Sequence, residues 1–114
     1  MHIHYISEEN SILNHFLAQI RDVNIQKDSM RFRKNIERIG EIMAYELSKT
    51  LDYKEIDVQT PLGIKHTTTI AEPVVLCSIL RAGLALHQGF MSFFDNAENG
   101  FVSAYRHHYN NDDE

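Results

Sequence analysis

The sequence predicts an α/β fold with a parallel β-sheet, and two short apolar segments carry that prediction. Val74–Gly83 and Phe101–Arg106 are largely apolar, and each contains an arginine at its end, Arg81 in the first and Arg106 in the second. A short apolar run rich in Val and Ile is typical of a strand that is buried on both faces of a parallel sheet. Leu84–Phe94 lies between the two runs and is long enough for a crossover helix. The two strands should therefore end at the same edge of one sheet.

The two arginines stand at that edge, beyond the carboxyl ends of the strands, where ligands of α/β folds bind. Arg81 is followed by Ala82 and Gly83, small residues that allow a close approach at the beginning of a helix. A helix N-terminus offers free N–H groups, and the arginine fork fits phosphate oxygens. Two interpretations stay open on these residues: a phosphate or pyrophosphate site, or an arginine that ends a strand and pairs with a nearby acid.

Two helices should precede the sheet. Residues 2–6 alternate histidine with apolar residues and indicate a short strand or an extended arm. Apolar side chains then recur at helical spacing over Glu9–Arg21 and over Ser29–Leu51. Ser7 and Ser29 are the candidate N-caps of these two helices, because serine side chains accept hydrogen bonds from the first free N–H groups.

The longer predicted helix has an apolar stripe and a charged outer face. Along the outer face we expect Lys34 to pair with Glu37, and Arg38 with Glu37 or Glu41. The stripe packs either on the core or partly on another subunit. It consists of Phe32, Ile36, Ile39, Met43 and Leu47.

A β-hairpin should connect the helices to the sheet. Tyr53–Thr60 alternates apolar and polar residues, Pro61–Gly63 is a turn signal, and Ile64–Ile70 is rich in the β-branched residue Thr. The three segments together predict an antiparallel arm outside the parallel sheet.

Composition excludes several classes of protein. The 114 residues are 43% hydrophobic, which fits one globular domain with a modest core. The net charge of −5 gives no basic surface for a nucleic acid. No segment is long and apolar enough to predict a membrane span or a signal peptide. Cys77 is the only cysteine, so we expect a buried thiol and no internal disulfide, as in a reducing cytoplasmic setting.

The histidines do not follow a metal-binding pattern. His2 and His4 share a strand face, and His107 and His108 are adjacent, but no HExxH or CxxC spacing occurs. We therefore interpret the seven histidines as scattered surface residues, with His107 and His108 as possible loop residues near the site. No catalytic triad, Walker loop or G-x-G-x-x-G is present either.

Three segments, in order and in spacing, resemble the uracil phosphoribosyltransferases. Cys77–Gly89 is similar to the family's Ile-Leu-Arg-Ala-Gly-Leu segment. Arg31–Arg33, continuing to Ala44–Glu46, resembles its Arg-Phe-Arg helix that ends in Tyr-Glu, and Ser103–Arg106 resembles its Tyr-Arg strand end. The resemblance covers nearly the whole chain from about Ile12. It implies a phosphoribosyltransferase-type parallel sheet, preceded by N-terminal helices and a hairpin arm.

The resemblance also implies a reaction, in which uracil and phosphoribosyl pyrophosphate give UMP and pyrophosphate with Mg²⁺. It implies that Arg81 and Arg106 contact phosphoribosyl pyrophosphate, with Ala82 and Gly83 as the supporting turn. Cations beside a departing pyrophosphate stabilise the transition state, so no side-chain nucleophile is needed. The family further implies a cytoplasmic homo-oligomer, a dimer or larger, and a possible GTP effector.

The sequence departs from the family in its second half. The phosphoribosyl-binding loop, an Asp-Pro-Met-Leu-Ala-Thr-Gly-type stretch, is absent, and so is the segment that reads uracil. We therefore expect residues 1–114 to be the N-terminal portion of a single phosphoribosyltransferase domain, without turnover alone. The alternatives are a non-catalytic regulatory or assembly module on the same scaffold and a related enzyme for a different base.

Overall fold

The structure, a computed structural model, describes residues 2–106 and contains two separate two-stranded sheets. A 3₁₀ turn, three α-helices and four strands follow one another along the chain. In order, they are the 3₁₀ turn Ile6–Glu8, α1 Leu13–Arg21, α2 Ser29–Ser48, β1 Tyr53–Thr60, β2 Gly63–Ile70, β3 Val75–Leu80, α3 Leu84–Phe93 and β4 Glu98–Ser103.

The predicted parallel unit is confirmed, because β3 and β4 pair in parallel with α3 between them. Their register runs from Val75 opposite Glu98 to Leu80 opposite Ser103. Strand β4 begins three residues before the apolar run and ends three residues before Arg106. The ladder starts early because the Glu98 N–H donates to the Val74 carbonyl at 3.2 Å, so polar residues already pair there.

The predicted hairpin is also confirmed. Strands β1 and β2 pair antiparallel from Tyr53 opposite Ile70 to Thr60 opposite Gly63, in a sheet of their own. Gly63 has a φ of +138°, which a residue with a side chain rarely adopts. The Thr60 hydroxyl donates to the Gly63 carbonyl at 2.7 Å and fastens the turn. Few side chains of the hairpin are even half-buried, as expected for an arm.

The first helix begins later than its periodicity predicted. Residues 2–5 form no strand, and α1 starts at Leu13 instead of Glu9, with no cap from Ser7. The Ser11 hydroxyl accepts the Leu13 N–H at 3.1 Å, so a different serine satisfies a backbone donor there.

The second helix has a different cap and a shorter end than predicted. Asp28, one residue before Ser29, is the N-cap, and its carboxylate accepts the Arg31 N–H at 3.1 Å. The helix ends at Ser48, and the Ser48 and Thr50 hydroxyls donate to the Tyr45 and Leu47 carbonyls of its last turn. The end at Leu51 was therefore wrong by three residues.

The buried face of α2 matches the predicted stripe in part, since Ile36 and Met43 are half-buried. Ile39 is buried as expected, but Phe32 and Leu47 stay 38% and 44% exposed. Small residues decide the packing instead, since α2 and α3 meet at Gly40 and Gly89. A Cβ atom on Gly89 would lie 2.1 Å from the backbone oxygen of Glu37, so the two helices approach at backbone contact. The full buried set on α2 is Asn35, Ile39, Gly40 and Ala44.

The charged face of α2 follows the prediction only in part. Lys34 pairs with Glu37 at 3.4 Å, as expected. Arg38 does not pair with an acid among the described residues. Its guanidinium donates to the Asn35 side chain at 3.0 Å and lies 5.4 Å from the centre of the Phe16 ring. The Arg38 side chain thus contributes to the packing of α1 on α2 and not to ion pairs on the outer surface.

The β3–β4 sheet is covered on one face only by the described residues. Leu76 is buried against Ala44 and Phe94, which form the centre of the core. On the other face, Val75 and Ile79 are 64% and 62% exposed, and Cys77 is exposed. The predictions of a strand buried on both faces and of a buried Cys77 thiol were therefore wrong. Within residues 2–106, no helix combines the length and the apolar character needed to cross a bilayer.

Candidate active site

The structure brings the two predicted arginines to the same edge of the β3–β4 sheet. Arg81 comes directly after β3, and Arg106 lies three residues after the end of β4. Since Leu80 and Ser103 are register partners in a parallel pair, the chain leaves both strands side by side and in the same direction. The rule that parallel strands of one unit end at the same edge thus located the backbones of Arg81 and Arg106 correctly. The contacts of the two side chains with a ligand stay a prediction.

Both arginine side chains are exposed and lack acidic partners in the described part of the chain. The ion pairs there lie on α2 and on the hairpin. A large groove, of about 1420 Å³, lies elsewhere, between the N-terminal segment, α2 and α3, and does not include Arg81 or Arg106. The described residues therefore supply an open edge with two uncompensated positive charges and not an enclosed pocket.

The turn between β3 and α3 holds Arg81 in place through backbone contacts. The Gly83 N–H donates to the Ile79 carbonyl at 3.0 Å, and the Leu84 N–H donates to the Arg81 carbonyl at 3.2 Å. These two donors are therefore not free for an anion, contrary to the simple picture of a helix N-terminus. The Leu80–Arg81 peptide bond is cis.

Gly83 is needed for space and not for an unusual backbone angle. Its φ of −78° and ψ of −4° are open to any residue. A Cβ atom at this position would lie 2.8 Å from the Ile79 backbone oxygen. The absence of a side chain thus allows the turn to fold back onto β3, which keeps Arg81 beside the strand end.

A buried histidine network behind this edge was missed by the sequence analysis. His87 on α3 is only 5% exposed, so the expectation that all histidines lie on the surface was wrong. Its Nδ1 contacts the Ser78 hydroxyl at 2.5 Å, and its Nε2 contacts the Asn99 side-chain oxygen at 2.8 Å. The Asn99 amide nitrogen donates to the Ala97 carbonyl at 3.2 Å, which assigns the oxygen to the histidine.

The network fixes how β3, α3 and β4 sit together. Because the Asn99 oxygen can only accept, His87 Nε2 is the donor in that hydrogen bond, while Nδ1 has the Ser78 hydroxyl as its partner. The ring also packs against Phe101 with 4.9 Å between centres. The three elements that lead to the two arginines are thereby joined through one side chain. No local sequence pattern could reveal this, because the partners lie nine and twelve residues away on other elements.

The described residues do not form a metal site. Within residues 2–106, no three His, Cys, Asp or Glu side chains lie close enough together to hold an ion. Arginine cannot ligate Mg²⁺ because it has no lone pair to offer. The Mg²⁺ that the family resemblance implies would enter with phosphoribosyl pyrophosphate, and it stays a prediction. His107 and His108 lie outside the described residues.

Comparison with known proteins decides the family. The chain matches the family model described as uracil phosphoribosyltransferase over residues 6–114. The chain belongs to this family. The resemblance predicted from Cys77–Gly89, the Arg-Phe-Arg helix and the Tyr-Arg strand end is thus confirmed, and so is the α/β fold of the phosphoribosyltransferase type.

Several relatives show the extent of the match. A uracil phosphoribosyltransferase of Porphyromonas gingivalis is 51% identical over 106 residues, which are 93% of this chain and 49% of that protein. One from Sulfolobus acidocaldarius is 42% identical over 98 residues, 83% of this chain and 44% of its own length. The solved structure of the AQ2163 protein from Aquifex aeolicus superposes with a TM-score of 0.71 at 27% identity, covering 84% of this chain and 46% of that one. The chain spans about half the length of these curated relatives.

Proposed function

We propose that this chain supplies the pyrophosphate-binding edge of a uracil phosphoribosyltransferase site. At the complete site, uracil and phosphoribosyl pyrophosphate would give UMP and pyrophosphate. The observation that carries the proposal is the placement of Arg81 and Arg106. They follow two paired parallel strands, both are exposed, and neither has an acidic partner within the described residues.

The two guanidinium groups suit the charge that develops in this reaction. As the bond between the sugar C1 and the pyrophosphate oxygen breaks, its electron pair leaves with the pyrophosphate, and N1 of uracil bonds to C1 and gives up its proton. Negative charge therefore grows on the leaving group, while the sugar becomes cation-like. Positive groups at fixed positions beside the leaving group lower the barrier, because their attraction is stronger in the transition state than in the substrate complex.

The chain alone should have no turnover. It contains no Asp-Pro-Met-Leu-Ala-Thr-Gly-type stretch for the ribose phosphate, and it spans 49% of the P. gingivalis relative. The cytoplasmic location, the homo-oligomer, the possible GTP effector and the choice of uracil over another base rest on the family resemblance and belong to this proposal.

The test uses this chain joined to the half of the P. gingivalis relative that it does not match. UMP formation is measured with radiolabelled uracil, phosphoribosyl pyrophosphate and Mg²⁺. Arg81→Ala and Arg106→Ala should each lower kcat/KM by about 100-fold or more, because each removes a charge that acts on the leaving group. Arg81→Lys should recover only part of the loss, since lysine cannot form the two-pronged contact.

Arg21→Ala is the matched control, because Arg21 is an exposed arginine in the last turn of α1, far along the chain from the edge. It should leave the rate unchanged. An Arg106→Ala enzyme that is as fast as the parent protein would contradict the proposal. A joined protein that folds but makes no UMP would favour the second candidate, a regulatory or assembly module that kept the scaffold without the chemistry.

A further inference from the structure

His87 lies between β4 and the segment that we call the arginine turn, residues 81–83. Its ring Nδ1 is 2.5 Å from the Ser78 hydroxyl on β3, and its Nε2 is 2.8 Å from the Asn99 side-chain oxygen on β4. The register partner of Asn99 is Leu76, two residues before Ser78, so the ring reaches diagonally across the two strands. Only 5% of the His87 surface is exposed. One buried side chain thus joins α3 to both strands next to the arginine turn.

The same histidine also holds the arginine turn through its backbone. The His87 N–H donates to the Gly83 carbonyl at 2.9 Å, in the first turn of α3. A Cβ atom on Gly83 would lie 3.5 Å from the Ser78 Cβ atom, so the Ser78 side chain lies against the turn. Ser78 precedes Arg81 by three residues, and Gly83 follows it by two. The ring contact with Ser78 and the backbone bond to Gly83 therefore hold the chain on both sides of Arg81.

A polar side chain at this position fixes a geometry that an apolar one would not. An apolar residue would be enough to pack α3 on the sheet, and burying an imidazole costs free energy unless its nitrogens are bonded. Both ring nitrogens of His87 have partners. Hydrogen bonds depend on distance and angle, so a satisfied buried network favours one arrangement of the elements that it joins. The Phe101 ring, with its centre 4.9 Å from that of the imidazole, adds a packing contact from β4.

We infer that His87 is a positioning residue, whose two ring contacts hold the arginine turn on β3 and thereby set where the Arg81 guanidinium meets a pyrophosphate group. The identity of the ligand rests on the proposed function, whereas the holding of the turn is a property of this chain alone. His87 needs no contact with the substrate for this role. A shift of about 1 Å in a group that acts on the reaction can cost roughly 100-fold in rate. Loosening the network should therefore lower activity although no charge is removed from the edge.

Amide hydrogen exchange in this chain tests the positioning without any turnover. The Gly83 and Leu84 N–H groups donate within the segment at 3.0 and 3.2 Å, so their exchange reports its opening. Ser78→Ala removes one contact of His87 and little volume. We expect exchange at both amides to become at least about tenfold faster, with less than about twofold change in α1 and in the hairpin, because a local opening involves only the loosened segment. Ser92→Ala, at an exposed serine of α3, is the matched control and should change neither.

A double-mutant cycle in the joined protein tests whether the network acts through Arg81. Ser78→Ala should lower kcat/KM for phosphoribosyl pyrophosphate by about tenfold in the parent protein. In the Arg81→Ala background, the same change should lower it by less than about twofold, because no guanidinium is left to be positioned. A merely structural role would give the same loss in both backgrounds, since a smaller folded fraction lowers both rates by the same factor. His87→Phe, which removes both ring contacts, should show the same pattern with a loss at least as large.

Two kinds of result would overturn the inference. Exchange that Ser78→Ala leaves unchanged, or makes faster by the same factor throughout the chain, would show that the network does not hold the arginine turn. Equal losses of kcat/KM in the two backgrounds would show that the network does not act through Arg81. Failure of the proposed function gives a different result, namely an Arg81→Ala enzyme as fast as the parent or a joined protein that makes no UMP. Faster exchange confined to Gly83 and Leu84 would still support His87 as the residue that holds the turn.

Discussion

The hairpin β1–β2 and the unit β3–α3–β4 each contain two paired strands, yet different forces stabilise them. The hairpin contains His66, which contacts Asp57 on the neighbouring strand with 84% of its side chain exposed. The unit contains His87, which is 5% exposed and bonded to a strand on either side. A histidine thus lies exposed on the surface of the hairpin, whereas in the β3–α3–β4 unit a histidine is buried and joins three elements.

This difference indicates where the stability of the chain resides. The hairpin closes through neighbours in sequence, with its turn at Gly63, and few of its side chains are shielded from water. The β3–α3–β4 unit depends on α2, which packs on α3 at Gly40 and Gly89. Changes in the unit should therefore affect global unfolding, whereas changes in the hairpin should act mainly on the arm.

The largest effect is expected at the contact between α2 and α3. Gly89→Ala should lower the free energy of unfolding by about 3 kcal/mol, because the added Cβ would lie 2.1 Å from the Glu37 backbone oxygen and 2.9 Å from the Glu41 backbone nitrogen. Backbone atoms on both sides cannot move aside as a flexible side chain could. Urea unfolding followed by circular dichroism measures the loss.

Gly100→Ala is the matched control within the same unit. A Cβ atom there would meet only the Cys77 sulfur, at an ordinary 3.8 Å. The variant should be neutral or stabilising by about 0.5 kcal/mol, because alanine loses less backbone freedom on folding than glycine. Equal losses for the two variants would show that the helices are not as close as described.

The next effect compares the two histidines directly. His87→Phe should cost about 2 kcal/mol, because a ring of similar size removes both hydrogen bonds and leaves the Ser78 and Asn99 side chains without that partner. His66→Phe should change the free energy of unfolding by less than about 0.5 kcal/mol, as expected for an exposed site. Urea unfolding of both variants under the same conditions measures the difference. Similar losses would mean that the hairpin pair is as important to the fold as the buried network.

The sequence was sufficient for the architecture and for the position of the arginines. Apolar runs, a turn signal and alternation predicted both sheets, since these features depend on neighbours along the chain. Arg81 and Arg106 were located because parallel strands that follow a crossover end at one edge. Boundaries were less accurate, because the Ser11 and Asp28 side chains accept hydrogen bonds from backbone N–H groups and so decide where the helices begin.

The sequence was not sufficient where packing between distant elements decides burial. The buried face of α2 was predicted only in part, because Gly40 allows the closest approach to α3 and a glycine does not contribute to an apolar pattern. His87 was misjudged because its partners come from two strands and share no spacing with it. Cys77 was expected to be buried because the strand pattern is that of a doubly covered strand, while residues 2–106 cover one face.

The smallest effect is expected at the hairpin turn. Gly63→Ala should cost about 1 kcal/mol in the arm, because its φ of +138° is strained for a residue with a Cβ atom. Nothing lies within 4 Å of that Cβ position, so the cost comes from the backbone alone, in contrast to Gly89. Amide hydrogen exchange should be faster in β1 and β2, with little change in β3 and β4. Leu62→Ala, at a fully exposed position in the same turn, should leave both hydrogen exchange and stability unchanged.

A different result would be that Gly63→Ala lowers global stability as much as Gly89→Ala does. The hairpin and the β3–α3–β4 unit would then unfold together, and the distinction between a sheet held by local contacts and a sheet held by helix packing would be wrong.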